Sequence, residues 1–100
     1  MTLMLNIMER KMSNEQNEIM LICQEECAEV TQAISKVFRF GMESDHNGRS
    51  NRQRLTEEVG DLLCMIELMI EHKILDAKEV GEAGLKKREK LSKWSSIGAK

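Results

Sequence analysis

Apolar residues recur along most of this chain at helical spacing. Placed 3.6 to a turn, Ile19, Ile22, Cys23, Val30, Ala33 and Val37 fall on one stripe. A second stripe centres on Leu55, Val59, Leu62, Ile66 and Met69, with Met65 and Leu68 on one flank and Leu63 and Ile70 on the other. From Val59 to Ile70 this segment is apolar nearly all round, which predicts a helix buried on several sides. A third face carries Val80, Ala83, Gly84, Leu91 and Trp94, with Lys87 in its middle. Three helix starts are marked by a capping oxygen three residues before Glu or Gln: Ser13 with Gln16, Ser50 with Gln53, and Asp76 with Glu79. Leu75 and Val80 add a hydrophobic staple to the third. The expected helices run about 14–39, 51–73 and 77–94. Gly41 stops the first, and the stretch to Arg49, containing Asn47-Gly48, reads as a loop. No strand-like alternation, repeat or linker is visible. Gly60 weakens the second helix and suggests close approach of another helix there.

These elements predict an all-α protein, a helical bundle with antiparallel helices. Residues 1–100 form a single domain, with 1–12 an N-terminal extension and 95–100 a tail. Three helices cannot easily cover the second one, so the bundle is expected to be completed by oligomerisation. Methionines at 1, 4, 8 and 12 leave the biological start open. Charged residues make up 32% of the chain but the net charge is −2, which argues against a nucleic-acid partner. The run from Leu62 to Ile70 is short and broken by Glu67, which argues against a membrane span. Asn6, Glu9, Arg10 and Lys11 interrupt any secretory signal. Cys23, Cys27 and Cys64 are odd in number and lack a second metal-binding pair, which fits reduced thiols in a cytoplasm. The eight methionines read as core filler.

The chemistry lies in two carboxylate pairs. Glu26 and Glu29, within Glu25-Glu26-Cys27-Ala28-Glu29, are three residues apart, as are Glu58 and Asp61 within Glu58-Val59-Gly60-Asp61. Residues at that spacing are neighbours on a helix surface. One such pair is usually a solvated face. Here Glu26 falls inside the apolar stripe, where an uncompensated charge is costly, and the pattern recurs on the next helix. Four converging acids call for a counter-cation, and a hard divalent ion such as Mg²⁺ fits oxygen donors best. Lys87, flanked by Lys90 and Lys86, could pair with the acids or hold a phosphate. These lysines could equally form a basic face that complements the helix dipole. Lys36 and Arg39 are weaker phosphate candidates. Trp94 reads as a packing anchor or the wall of a base pocket. His46 and His72 read as surface residues. A di-iron bundle would need Glu-x-x-His on two helices, and here only Glu43 precedes a histidine by three, in the loop. Without a glycine-rich phosphate loop, a P-loop NTPase is excluded.

The motif Glu25-Glu26-Cys27-Ala28-Glu29 followed by Glu57-Glu58-Val59-Gly60-Asp61-Leu62-Leu63 resembles the MazG-like nucleoside triphosphate pyrophosphohydrolases of the all-α NTP pyrophosphatase superfamily. Ser35-Lys36-Val37-Phe38-Arg39-Phe40-Gly41, Asn51 and Lys87-Arg88-Glu89-Lys90-Leu91-Ser92-Lys93-Trp94 are similar to the small members common in bacteriophages. Gly60 before Asp61 and Cys64-Met65 after the leucines depart from the related phosphoribosyl-ATP pyrophosphatases. The chain is too short for the single-chain arrangement of the dimeric dUTPases. The resemblance implies hydrolysis between the α and β phosphates of (deoxy)nucleoside triphosphates, giving a monophosphate and pyrophosphate and controlling the nucleotide pool. It implies Mg²⁺ (or Mn²⁺) on Glu26, Glu29, Glu58 and Asp61. Glu25 matches an acid near the site and, with Glu26, is a catalytic candidate. Lys86, Lys87 and Lys90 would bind phosphates, with Lys36 and Arg39 behind them. Asn51 and Trp94 are candidate base or sugar contacts. The implied assembly is a homodimer or a homotetramer built as a dimer of dimers, acting in a bacterial cytosol or, if phage-encoded, in the host's. A purine deoxynucleotide preference (dGTP or GTP) is compatible with the resemblance, but no residue states the base. The alternative from the residues alone is a non-catalytic helical oligomer with structural acids, serving regulation or interaction.

Overall fold

The computed structural model describes residues 11–98. Most of the expected N-terminal extension, residues 1–10, and the last two residues of the tail lie outside that range. The chain forms helix α1 (Asn14–Phe40), two short strands β1 (Asp45–His46) and β2 (Arg49–Ser50), helix α2 (Asn51–Glu71) and helix α3 (Ala77–Trp94). The all-α class follows from these elements.

Each helix begins where its capping residue stands. Ser13 Oγ accepts the Gln16 N–H at 3.0 Å, and the Gln16 side-chain oxygen accepts the Ser13 N–H at 3.0 Å. Ser50 and Gln53 form the same reciprocal pair at α2. At α3, Asp76 accepts the Glu79 N–H at 3.0 Å, but the return bond from the glutamate does not form, so the cap is one-sided. Gly41 ends α1 with φ +97°, a conformation open to glycine, and its N–H donates to the Val37 carbonyl.

The loop contains more structure than its sequence suggested. Asp45 pairs with Ser50 and His46 with Arg49 in an antiparallel hairpin. Asn47 and Gly48 both have positive φ, 58° and 78°, as the tight hairpin turn requires. Two-residue strands are too short to show alternation, which is why the pattern missed them.

Helices α1 and α2 pack as an antiparallel hairpin pinned at both ends. At one end the Gln16 amide donates to the His72 carbonyl at 2.7 Å. At the other, the buried Asn51 amide donates to the carbonyls of Gly41 at 2.9 Å and Lys36 at 3.4 Å. Ile19, Cys23 and Met65 form the core, with Leu62, Leu68, Met69 and Ile74 packed against it. Burial pushes the Cys23 thiol above its ordinary range, with the neighbouring Cys27 adding to the shift, so it behaves as a small core hydrophobe. All three cysteines are free thiols.

The rotation of α2 differs from the expected stripe. Met65 is buried and Leu68 packs on the core, whereas Val59 and Leu63 point outward, Leu63 being 53% exposed. The reason is physical: a helix apolar nearly all round has no single preferred face, and the partner helix decides. Among the described residues Gly60 has no atom within 4 Å of where a Cβ would stand, so no close approach between the described helices explains it. Helix α3 barely touches the α1–α2 pair and buries no residue. Trp94 at its end is 83% exposed and anchors nothing among the described residues. Among the described residues no helix is long and apolar enough to cross a membrane.

Candidate functional site

The acids meet midway along the helix hairpin. On α1, Glu26 follows Cys23 by three residues and precedes Val30 and Ala33 on the inward stripe, so the fold turns it toward α2. On α2, Glu58 stands seven residues, about two turns, before the core residue Met65 and so faces α1. Asp61, three residues after Glu58, rises beside it. One carboxylate oxygen from each of Glu26, Glu58 and Asp61 lies within 4.8 Å of the other two. Glu26 and Glu58 are half-buried and Asp61 is exposed. Glu29 joins from α1, lining a small cavity together with Glu58. Glu25 is exposed at the margin, close enough for its charge to act on Glu26.

The electrostatics are those of a cluster short of positive charge. Burial, reinforced by the charges of Glu29, Asp61 and Glu25, pushes the Glu26 carboxyl up. Glu58 is pushed up to about 6, first by the hydrogen bond with Glu29, then by burial and by the charges of Glu29, Asp61 and Glu26. Each of Glu26 and Glu58 also holds an oxygen, Oε2, that is shielded from solvent and lacks a hydrogen-bond partner among the described residues. Buried acceptors are normally satisfied, and an orphaned one often marks an ion site. The donors are all carboxylate oxygens, the set preferred by Mg²⁺ and Mn²⁺. The residues present therefore fit a hard divalent cation.

Cations lie beside the acids within the same chain. A small cavity of about 130 Å³ is bounded by Glu29 and Glu58 and by Lys36, Arg49 and Arg54. Arg54 sits one turn before Glu58 on α2, and its guanidinium donates to the His46 carbonyl at 3.2 Å. Arg49 forms an ion pair with Glu57. Sequence reasoning found Lys36 but missed both arginines. The signal for Arg54 was its spacing of four from Glu58, which also describes an ordinary solvated ion pair. Lys36 and Arg54 also border a larger cavity of about 380 Å³ under the β-hairpin, where Asn51 lies.

The other expected site residues are placed elsewhere. Arg39 is exposed and its guanidinium lies 5.0 Å from the Phe40 ring centre. Lys86, Lys87 and Lys90 are exposed on α3, which does not pack on the acid-bearing helices. Among the described residues, the face on which Lys87 was expected to point inward has no partner element to point into. Trp94 shares that separation. Asn51 has a structural task as well as its place in the cavity, since it ties the start of α2 to the end of α1.

The family model of the MazG nucleotide pyrophosphohydrolase domain matches residues 14–95. No curated protein and no solved structure gives a match. The matched stretch includes both acid pairs and the three helices of the described residues, and the chain belongs to the MazG nucleotide pyrophosphohydrolase family.

Proposed function

From that membership, we propose that the protein hydrolyses (deoxy)nucleoside triphosphates to the monophosphate and pyrophosphate in a reaction that depends on Mg²⁺ or Mn²⁺. The observation that carries the metal requirement is the pair of solvent-shielded, unpartnered oxygens on Glu26 and Glu58, converging with Asp61. Glu26, Glu58 and Asp61 would hold the cation, with Glu29 beside Glu58 completing the set. A bound divalent ion supplies Lewis acidity at the phosphate and lowers the pKa of a coordinated water.

The chain's own residues do the rest. Lys36 and Arg54, with Arg49 near them, line the cavity next to the acids and offer positive charge to phosphate oxygens. Such donors stabilise the pyrophosphate as the bond between the α phosphorus and its bridging oxygen breaks. Glu25 is exposed beside Glu26 and can accept the proton of the attacking water. One water is consumed for each bond broken.

The exposed apolar surface supports a homodimer or a dimer of dimers. Leu21, Phe38, Leu63 and Leu85 are each more than half exposed. Assembly of copies would cover such residues and remove them from water. Lys86, Lys87 and Lys90 would then serve phosphate binding from a helix packed against another copy. The proposed setting is the cytosol, with the nucleotide pool as the target. The purine deoxynucleotide preference belongs to this reading as well, since the acid cluster itself carries no base selectivity. The test is release of pyrophosphate from a nucleotide panel with Mg²⁺ and in chelator. Metal-dependent release supports the reading, and none from any nucleotide overturns it.

A further inference from the structure

The larger cavity adjoins the acid cluster through shared walls. Lys36 and Arg54 border both spaces, so a ligand with phosphates near the acids would extend past these two cations into the hairpin cavity. Its volume, about 380 Å³, lies within the usual range for small-molecule sites. Its remaining walls include Phe40, Asp45, His46 and Asn51. Phe40 is 59% exposed although it lines the cavity, and Arg39 stands over its ring at 5.0 Å. An aromatic ring backed by a guanidinium is a stacking platform for a heterocycle. Asp45 stands opposite in function. The turn uses its Oδ1, which accepts the Gly48 N–H at 3.0 Å. Its other oxygen remains for a ligand.

We propose that this cavity is a nucleobase pocket in which Phe40 stacks the base and Asp45 selects bases by their donor edge, guanine above the others. The proposal rests on the nucleotide-hydrolase reading and adds the residue that sets its substrate preference. An ionised carboxylate only accepts hydrogen bonds. Guanine presents two adjacent donors, N1–H and the N2 amino group, which match it. Adenine and cytosine present one amino donor beside a ring nitrogen that repels it. Uracil and thymine present a single N–H between two carbonyl oxygens, the least favourable edge. Discrimination thus arises from repulsion as well as attraction. The Asp45 position on a short hairpin, held by its own turn, fixes the carboxylate before a base arrives.

The test is binding of GMP, AMP, CMP and UMP to the full chain in chelator, followed by amide NMR shifts, with Asp45→Asn alongside. Asparagine keeps an oxygen for the Gly48 N–H, so the turn is retained. The expected result is shift changes centred on residues 40–48 and GMP bound about tenfold or more tighter than UMP, the scale of one bidentate base contact. Asp45→Asn should erase most of that difference, and Phe40→Ala should weaken all four alike. Equal affinities, shifts elsewhere only, or an unchanged ranking in Asp45→Asn overturn the proposal. Separate hydrolysis assays with Mg²⁺ distinguish the two readings. Hydrolysis without selective binding in the cavity leaves the hydrolase and removes the base pocket. Selective binding without hydrolysis does the reverse.

Discussion

Glu26 on α1 and Glu58 on α2 face each other across the helix pair, each with a carboxylate oxygen within 4.8 Å of the other's. With both ionised, like charges meet between the helices, and the shift of Glu58 follows from that crowding, Glu29 included, and from burial.

The first prediction follows from the sign of the shift. The folded-state value for Glu58, about 6, lies above the ordinary 4.5. A raised carboxyl stabilises the fold below the ordinary value, and this is lost as pH rises through the folded value. In chelator, the melting temperature should therefore fall between pH 4.5 and about 6, beyond what other groups cause. Glu58→Gln should flatten that interval, because glutamine keeps the volume without the charge. An identical profile in the variant would show that the Glu29–Glu58 pair does not set it.

Divalent metal should reverse the penalty. Binding to the native state alone stabilises by about 2.7 kcal/mol at one hundred times the dissociation constant. For a domain of this size that raises the melting temperature by about 10 °C or more. Melting curves at neutral pH in chelator and in millimolar Mg²⁺ or Mn²⁺ check it. An unchanged midpoint, with a non-hydrolysable nucleotide also present, would weigh heavily against a metal site.

Assembly is best probed at Leu63. Leu68 packs on the α1–α2 core, so a charge there would damage the hairpin itself. Leu63 faces outward and is 53% exposed, so Leu63→Glu leaves the hairpin core untouched. If the outer face of α2 meets another copy, the substitution buries an unpaired charge there. Sedimentation should show an oligomeric wild type and a smaller variant. A monomeric wild type at micromolar concentration would refute the assembly.

Asn51 should matter for stability through its two carbonyl partners. Asn51→Ala removes the side-chain donor that the Gly41 and Lys36 carbonyls share and leaves Gly41 only the longer bond from the Ser44 N–H at 3.4 Å, a loss of about 1–3 kcal/mol. Denaturant unfolding would measure it. A change under a few tenths would mean that water replaces the amide at no penalty.

What the sequence disclosed, it disclosed through local rules. Ser13, Ser50 and Asp76 announced the helix starts because capping spans only three residues. Glu26 was legible because it interrupts an apolar stripe, and Asp61 because it repeats the spacing on the next helix. The rotation of α2 was hidden, since Met65 and Ile66 look alike in a helix apolar all round. Arg49 and Arg54 were hidden because long cations beside glutamates usually mean a solvated face. The position of α3, and with it the task of Lys86, Lys87 and Lys90, depends on contacts between elements that no local spacing encodes.

On the reading proposed above, Glu26 and its partners hold the ion on which nucleotide hydrolysis depends. The most direct measurement is pyrophosphate release by wild type and Glu26→Gln, with matched circular dichroism, in Mg²⁺ and in chelator. Loss of groups that merely support a metal's ligands reduces affinity or activity by ~10–100-fold, so a direct ligand should exceed the upper end. The expected result is release by wild type only with metal, and a loss beyond about 100-fold in a folded Glu26→Gln. Near-wild-type release by that variant, or undiminished release by wild type in chelator, would contradict it.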